Sequence, residues 1–447
     1  MPHIVTKFGG TSVSSLETWT NIAAITKKHM LNGVQPVIVC SAMTQISNML
    51  EKVIEAALIN EHMSLFATIE HNHRKLAEAL QVEFNGISAH MEQLKQWLTG
   101  IALLKQAPAK TQAQILSLGE LMLTQLGHAF LQKQGINVAW FDARELLIST
   151  PYPNGDTANY LSARCDCAPD SALVTLFNNC GAEAIITQGF IASDPEGTTV
   201  LLGRGGSDTS AALFANRLEA LGCEIWTDVP GIYTANPHQL PHARLLKQLN
   251  YDEAQEIASM GAKVLHPNCI PPVRQANIPM VVKYTQMPEH SGTLITQDLD
   301  ENAPLIKSIQ VKDSILLISI DTLNMWRQVG FLSDVFQVVK QHNFSVDLLS
   351  SSEFNLTFSL DIAGPSYDRP RITALLNALN QFGRAKLIEP CSAVSLVGHH
   401  IRTVLPQLGP ALEVFEASHY DMFRENRMQI LIDPALMPRD VGNFLTE

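Results

Sequence analysis

The chain has 447 residues, 46% hydrophobic and 17% charged, against ~25% charged in average globular usage, so much of its surface must sit against something. Its 31 Lys+Arg and 43 Asp+Glu leave a net charge of −12, which argues against nucleic acid as the main partner. No apolar run approaches the ~18 residues of a membrane span, no leader-like segment opens the chain, and seven cysteines without Cys-x-x-Cys spacing suit reduced thiols. An acidic, multidomain cytoplasmic protein with no membrane partner is expected.

In chain order, His3–Phe8 reads as a strand, Gly9-Gly10 as a turn, and the stretch to about Leu31 as a helix. Pro36–Cys40 is a fully apolar strand, and Ser47 to about Lys133 is mostly helical, broken near Gly86 and around Gln106–Lys110. Strands return at Asn137–Phe141, Glu183–Gly189, Glu224–Thr227 and Met280–Tyr284, with helices between them. This alternation predicts an α/β domain over residues 1–297, a layered fold around a mainly parallel sheet with ligands at the carboxyl ends of its strands. After a polar stretch, Gln297–Asn302, the pattern changes to smaller α+β units. Residues 312–390 read as one βαββαβ unit, with strand 314–320, helix 330–343, a hairpin and helix Pro370–Phe382. Residues 391–447 start a second unit, with a helix near Leu405–Phe415 and a short terminal helix; it lacks its last strand, which 305–311 is expected to supply.

Four segments carry chemistry. Lys7-Phe8-Gly9-Gly10 follows a strand and opens a helix, so backbone N–H groups can approach an anion while Lys7 supplies a point cation. Taken alone it reads as an ordinary strand-to-helix turn with a solvated lysine. Arg204-Gly205-Gly206-Ser207-Asp208 places a cation, glycines, a hydroxyl and an acid immediately before a helix, more than a cap requires. Thr227-Asp228 runs into a Pro-Gly turn ahead of Tyr233, and Lys263-Val264 stands at a Gly-marked break. Cys165-Asp166-Cys167 and His71-Asn72-His73 lack metal-ligand spacing, and no metal site within the protein is expected.

Together KFGGTSV (7–13), SLGELM (117–122), ITQGFI (186–191), LGRGGSD (202–208), WTDVPGIYT (226–234) and GAKVLHP (261–267) closely resemble the aspartate kinases of the amino-acid kinase superfamily. The C-terminal units look like the tandem ACT domains of that family, closest to lysine-sensitive members through 323–336 and 345–353. The resemblance implies transfer of the ATP γ-phosphoryl group to the β-carboxylate of L-aspartate, with Mg²⁺ carried largely by the nucleotide. It further implies a homodimer joined through ACT domains, or a tetramer built from it.

Carried over by position, Lys7 and Asp208 are the catalytic pair, and Ser41, Ser47, Glu120, Arg204, Gly205, Gly206 and Ser207 form the aspartate site. Lys7, Phe8, Gly9, Gly10, Thr227, Asp228, Tyr233, Lys263 and Val264 match nucleotide-contacting positions. Glu120 out of context would read as a solvated helix glutamate; the SLGELM setting reverses that. Met325, Gly330, Phe331, Leu332, Asp347, Ser352 and Glu353 match the lysine effector site. Four departures stand out: Ser47 where Thr is usual, Leu123 where Ser is common, Gln328 for a small polar residue, and Asn236-Pro237-His238 for Asp-Pro-Arg. The last removes a guanidinium from the nucleotide side.

Overall fold

The structure, a computed structural model, describes residues 1–151, 155–261, 264–298, 304–322, 325, 328–361, 369–399, 401, 403–404, 420–424 and 427–432. The chain divides into two compact units: Met1–Ile232 with Leu245–Ala258 and Lys263–Glu301, and Tyr233–Arg244 with Ser259–Ala262 and Asn302–Glu447.

Among the described residues, the first unit is built on an eight-stranded sheet. Edge to edge it runs Gln248–Asn250, Thr293–Thr296, Met280–Tyr284, Cys223–Thr227, His3–Phe8, Gln35–Cys40, Ala184–Gln188 and Val138–Trp140. Every neighbouring pair is parallel except Met280–Tyr284 against Thr293–Thr296. Gln35–Cys40 is buried at every position, as an apolar strand covered on both faces must be. His3–Phe8 lies at the centre, with Lys7 in register with Val39 on one side and Ile225 on the other. The carboxyl end of the central strand therefore presents Lys7.

The expected helical stretch is four helices, Ile46–Leu58, Met63–Leu80, Ser88–Leu104 and Ala109–Lys133. Left-handed residues mark its breaks: Asn60, Gln81 and Lys105, at φ of 65°, 54° and 54°. Gly127 in the last helix has a packing reason, since a Cβ there would lie 2.0 Å from Cη2 of the buried Trp19. Among the described residues no helix is long and apolar enough to cross a membrane.

One face of the sheet carries a buried ion cluster. Glu224 accepts from His29 Nε2 at 3.1 Å, Trp226 Nε1 at 2.9 Å and Lys283 Nζ at 2.9 Å. Burial would raise its carboxyl, but the bond from His29 and the Lys283 ammonium outweigh that and hold it at about 2. A carboxyl depressed from 4.5 to about 2 stabilises the fold above pH 4.5, and that stability is lost as pH falls through 2. Glu224→Ala should therefore cost about 3 kcal/mol at pH 7, with the gap to wild type closing progressively below pH 4.5. Urea denaturation at pH 7, 4 and 2.5 checks this; a gap independent of pH would sink it.

In the second unit the described strands form an antiparallel sheet ordered Ser345–Ser351, Asn355–Asp361, Ile306–Asp321, Arg384–Gly398, Arg427–Ile432, Tyr420–Arg424. The separate strands expected at 305–311 and 314–320 are one strand of 16 residues, and Arg384–Gly398 is likewise a single strand of 15. The two pair from Ile306 opposite Gly398 to Asp321 opposite Arg384, with register shifts between Ile306 and Ser308 and across Lys312–Leu317. Leu316, Ile318 and Ile320 pack against Phe331, Val335 and Val339 of helix Phe331–Gln341 and against Ile372, Leu375 and Leu379 of helix Arg369–Leu379. The apolar spacing of helix Phe331–Gln341 places Phe331, Leu332, Val335, Val338 and Val339 on an apolar face, but Leu332 is 38% exposed. The helices expected near 405–415 and at the terminus lie outside the described residues.

Candidate active site

The turn after the central strand is held by the neighbouring strand. Gly9 N–H donates to the Trp226 carbonyl at 3.2 Å, and the Phe8 ring stacks on Trp226, centroids 6.0 Å apart. Gly10 is hemmed in by backbone: a Cβ there would lie 3.0 Å from the Ala42 carbonyl oxygen and 3.2 Å from Thr44 N. Lys7 Nζ is thereby directed to Asp208 Oδ1 at 2.6 Å, with both side chains largely buried.

Asp208 stands in the first turn of helix Gly206–Arg217, whose cap Gly205 has φ of 64°. The glycines of this loop are demanded by their neighbours. At Gly205 a Cβ would fall 2.0 Å from Cγ of His266, and at Gly206 one would fall 2.7 Å from Phe190 Cδ2. Phe190 itself sits at φ of 71°, its N–H accepted by Ser210 Oγ at 2.9 Å. Asp208 Oδ2 accepts the His266 N–H at 3.2 Å, so both carboxylate oxygens are committed.

A cavity of about 520 Å³ opens between these elements. Of the sequence-selected residues, Lys7, Gly10, Ser41, Ser47, Glu120, Arg204, Gly205, Gly206, Ser207 and Asp208 all line it. Glu120 comes from the buried helix Ala109–Lys133; its Oε1 accepts Ala42 N–H at 3.1 Å, while Oε2 has no partner. Burial pushes its carboxyl up to about 8, against the pull of the Ala42 N–H. Arg204 is exposed on the same lining.

Other selected residues lie elsewhere. Phe8 and Gly9 shape the turn without lining the cavity, and Thr227, the last residue of its strand, donates from Oγ1 to Asp228 Oδ1 at 3.2 Å. Val264 is half-buried in the first unit, and Lys263 lies outside the described residues. Tyr233 belongs to the second unit, where its carbonyl accepts Ser308 Oγ at 3.3 Å. In that unit Gly330, at φ of 90°, caps helix Phe331–Gln341, and Met325 packs on the core. Phe331 is 3% exposed and stacks edge-on against Phe382, so only its backbone remains for a ligand. Leu332 is part-exposed and Asp347 half-buried, while Ser352 and Glu353 are exposed. Among the described residues no group of three or more His, Cys, Asp or Glu could hold a metal ion.

The cavity also takes in Asn48 and Glu51 from helix Ile46–Leu58, Ser162, Phe190 and Leu201, none of them singled out in the sequence. Glu51 follows Ser47 at four-residue spacing and so shares its helix face, a signal the sequence carries; Asn48, one residue on, has no such signal. Ser162 and Leu201 had none.

The profile of the amino acid kinase family matches residues 2–284. Lysine-sensitive aspartokinase 3 of Escherichia coli (strain K12) is 33% identical over 403 residues, covering 89% of this chain and 87% of that protein. The chain belongs to the aspartokinases of the amino acid kinase family. The crystal structure of E. coli aspartokinase III with aspartate and ADP (R-state) superposes on this kinase with a TM-score of 0.86 at 30% identity, covering 99% of this chain and 100% of that one. The lysine- and aspartate-bound form of that enzyme (T-state) gives 0.75 at 29% identity, covering 99% of each chain.

Proposed function

We propose that this kinase transfers the γ-phosphoryl group of ATP to the β-carboxylate of L-aspartate, giving 4-phospho-L-aspartate, the first step towards lysine, threonine and methionine. The observation that carries the reading is one cavity lined by Glu120, with an unpartnered carboxylate oxygen, by Arg204, and by the Lys7–Asp208 pair. A buried carboxyl that ionises on meeting an ammonium and an exposed cation are what a zwitterionic amino acid needs, beside a cation able to meet phosphoryl charge.

In this reading Glu120 takes the substrate ammonium and Arg204 its α-carboxylate as a bidentate fork. Ser41, Ser47 and the Gly205–Ser207 backbone complete the aspartate site. Lys7 stabilises the charge that develops on the transferring group. The acceptor carboxylate is ionised at neutral pH, so no base is needed. Asp208 suits orientation rather than proton abstraction, because one of its oxygens meets Lys7 and the other the His266 amide. Phe8, Gly9, Gly10, Thr227, Asp228, Tyr233, Lys263 and Val264 form the nucleotide side. Mg²⁺ would ride on the ATP phosphates and water, neutralising phosphate charge.

Residues 1–297 are read as the kinase domain, 312–390 as the first ACT unit, and 305–311 with 391–447 as the second. The first ACT unit would bind lysine as feedback inhibitor, with the Gly330 cap at its carboxylate and Asp347 and Glu353 at its ammonium groups, assisted by Met325, Phe331, Leu332 and Ser352. The likeness to a lysine-sensitive enzyme supports this. The same reading makes it a cytoplasmic homodimer joined through ACT units.

The test is one assay with ATP, aspartate and hydroxylamine trapping, run with and without lysine. Hydroxamate should form in step with ADP and fall when lysine is added. ADP release without hydroxamate would overturn the substrate, and activity flat against lysine would overturn the effector.

A further inference from the structure

We infer that His266 is a positioning residue for phosphoryl transfer, holding the Asp208–Lys7 pair and the Gly205 loop in one fixed relation. The inference rests on the proposed reaction. Three contacts converge on this residue. Its backbone N–H donates to Asp208 Oδ2 at 3.2 Å, on the oxygen that Lys7 does not take. Its ring covers Gly205 so closely that a Cβ there would lie 2.0 Å from Cγ and 2.4 Å from Cδ2. Its Nδ1 accepts the Asn268 N–H at 3.3 Å, capping the short turn Pro267–Cys269.

These contacts form a mechanical sequence. The cap closes the turn, with Cys269 N–H and Sγ both returning to the His266 carbonyl at 3.1 and 2.9 Å. The closed turn aims the His266 amide at Asp208, whose other oxygen sets Lys7 Nζ. The ring meanwhile fixes the start of helix Gly206–Arg217, which carries Asp208. Acceptance at Nδ1 puts the proton of the neutral ring on Nε2. Removing the ring frees the turn and the loop together, and the Lys7 ammonium loses its aim without losing its charge.

The experiment uses the full-length chain as wild type, His266→Ala and His266→Asn. A displacement of about 1 Å at Lys7 can cost up to ~10²-fold in rate, so His266→Ala should lower kcat by about 30-fold. KM for ATP should move by less than about threefold, and KM for aspartate should rise by less than kcat falls, since the freed Gly205 loop carries part of that site. His266→Asn, whose carboxamide oxygen can cap the Asn268 N–H but which leaves Gly205 uncovered, should recover part of the loss, with kcat about fivefold below wild type. ADP affinity by calorimetry, which requires folded protein, should match across all three. Unchanged kcat in His266→Ala, a loss confined to KM, or an asparagine variant as impaired as alanine at equal ADP affinity would each overturn the inference. A wild type that yields no trapped acyl phosphate would instead overturn the proposed reaction, and this inference with it.

Discussion

Lys7→Ala should lower kcat for phosphoryl transfer by about 10³-fold, with a much smaller change in the KM for aspartate. The size follows from removing a preorganised donor at the point where transition-state charge grows, worth ~10²–10³ in rate for a single neutral donor. The same change has a second effect. Lys7 and Asp208 form a pair at 2.6 Å with side-chain exposures of 11% and 12%, so alanine leaves a carboxylate largely out of water without its cation. Breaking such a pair costs about 3–5 kcal/mol. Lys7→Ala with Asp208→Ala removes the stranded charge and should recover most of the stability while recovering no activity. Thermal melting beside steady-state kinetics separates the two effects. If the double variant regained turnover, Lys7 would not be the cation at the transferring group.

Glu120→Gln should raise the KM for aspartate by about 10²-fold, since a charge-assisted bond to the ammonium is lost and a donor faces a donor. Its pH behaviour is more diagnostic. Burial holds the Glu120 carboxyl at about 8, so the empty site is mostly protonated at pH 7, and aspartate must bind with release of that proton. KM for aspartate should therefore fall close to tenfold from pH 6 to 7 and level off above 8, while Glu120→Gln gives a flat profile. The stability sign is opposite to that of Glu224. With the folded value raised from 4.5 to about 8, the contribution is full below pH 4.5 and is lost as pH rises through 8. Glu120→Gln should thus melt higher than wild type at pH 9 and alike at pH 4, a binding group kept at a cost to the empty fold. A KM that does not vary with pH would remove Glu120 from the ammonium site.

Much of this was readable beforehand because local chemistry and fold agree. The run into Lys7-Phe8-Gly9-Gly10 is a strand and turn in both sequence and structure, and Gln35–Cys40 is buried throughout, as its apolar character requires. Gln248–Asn250 and Thr293–Thr296 went unread, being three and four residues long, too short for a period to show. The break after Leu58 was missed as well; no Gly or Pro marks it, and Asn60 alone takes the left-handed backbone. At the site, the sequence offers residue types but not convergence. Ser162 and Leu201 meet Glu120 across one cavity because helix Ala109–Lys133, the end of helix Asp156–Leu161 and the end of strand Thr199–Leu201 converge there. His266 stood inside a quoted motif, yet its relation to Gly205 exists only once the two segments are packed.

The long strands Ile306–Asp321 and Arg384–Gly398 set a rule for how this sequence can vary. Each runs through both halves of the six-stranded sheet, pairing with the other along almost its full length. Side chains alternate faces with period two, so inserting or deleting one residue in either strand away from its register shifts would invert the burial of everything beyond it. The damage would reach both halves, because neither owns its central strand. A change of length therefore does least damage in the turns and helices outside these two strands or at the register shifts they already contain, while substitutions elsewhere within them must keep their parity of inward and outward positions. The two halves can diverge in what they recognise, but not in where their shared strands begin and end.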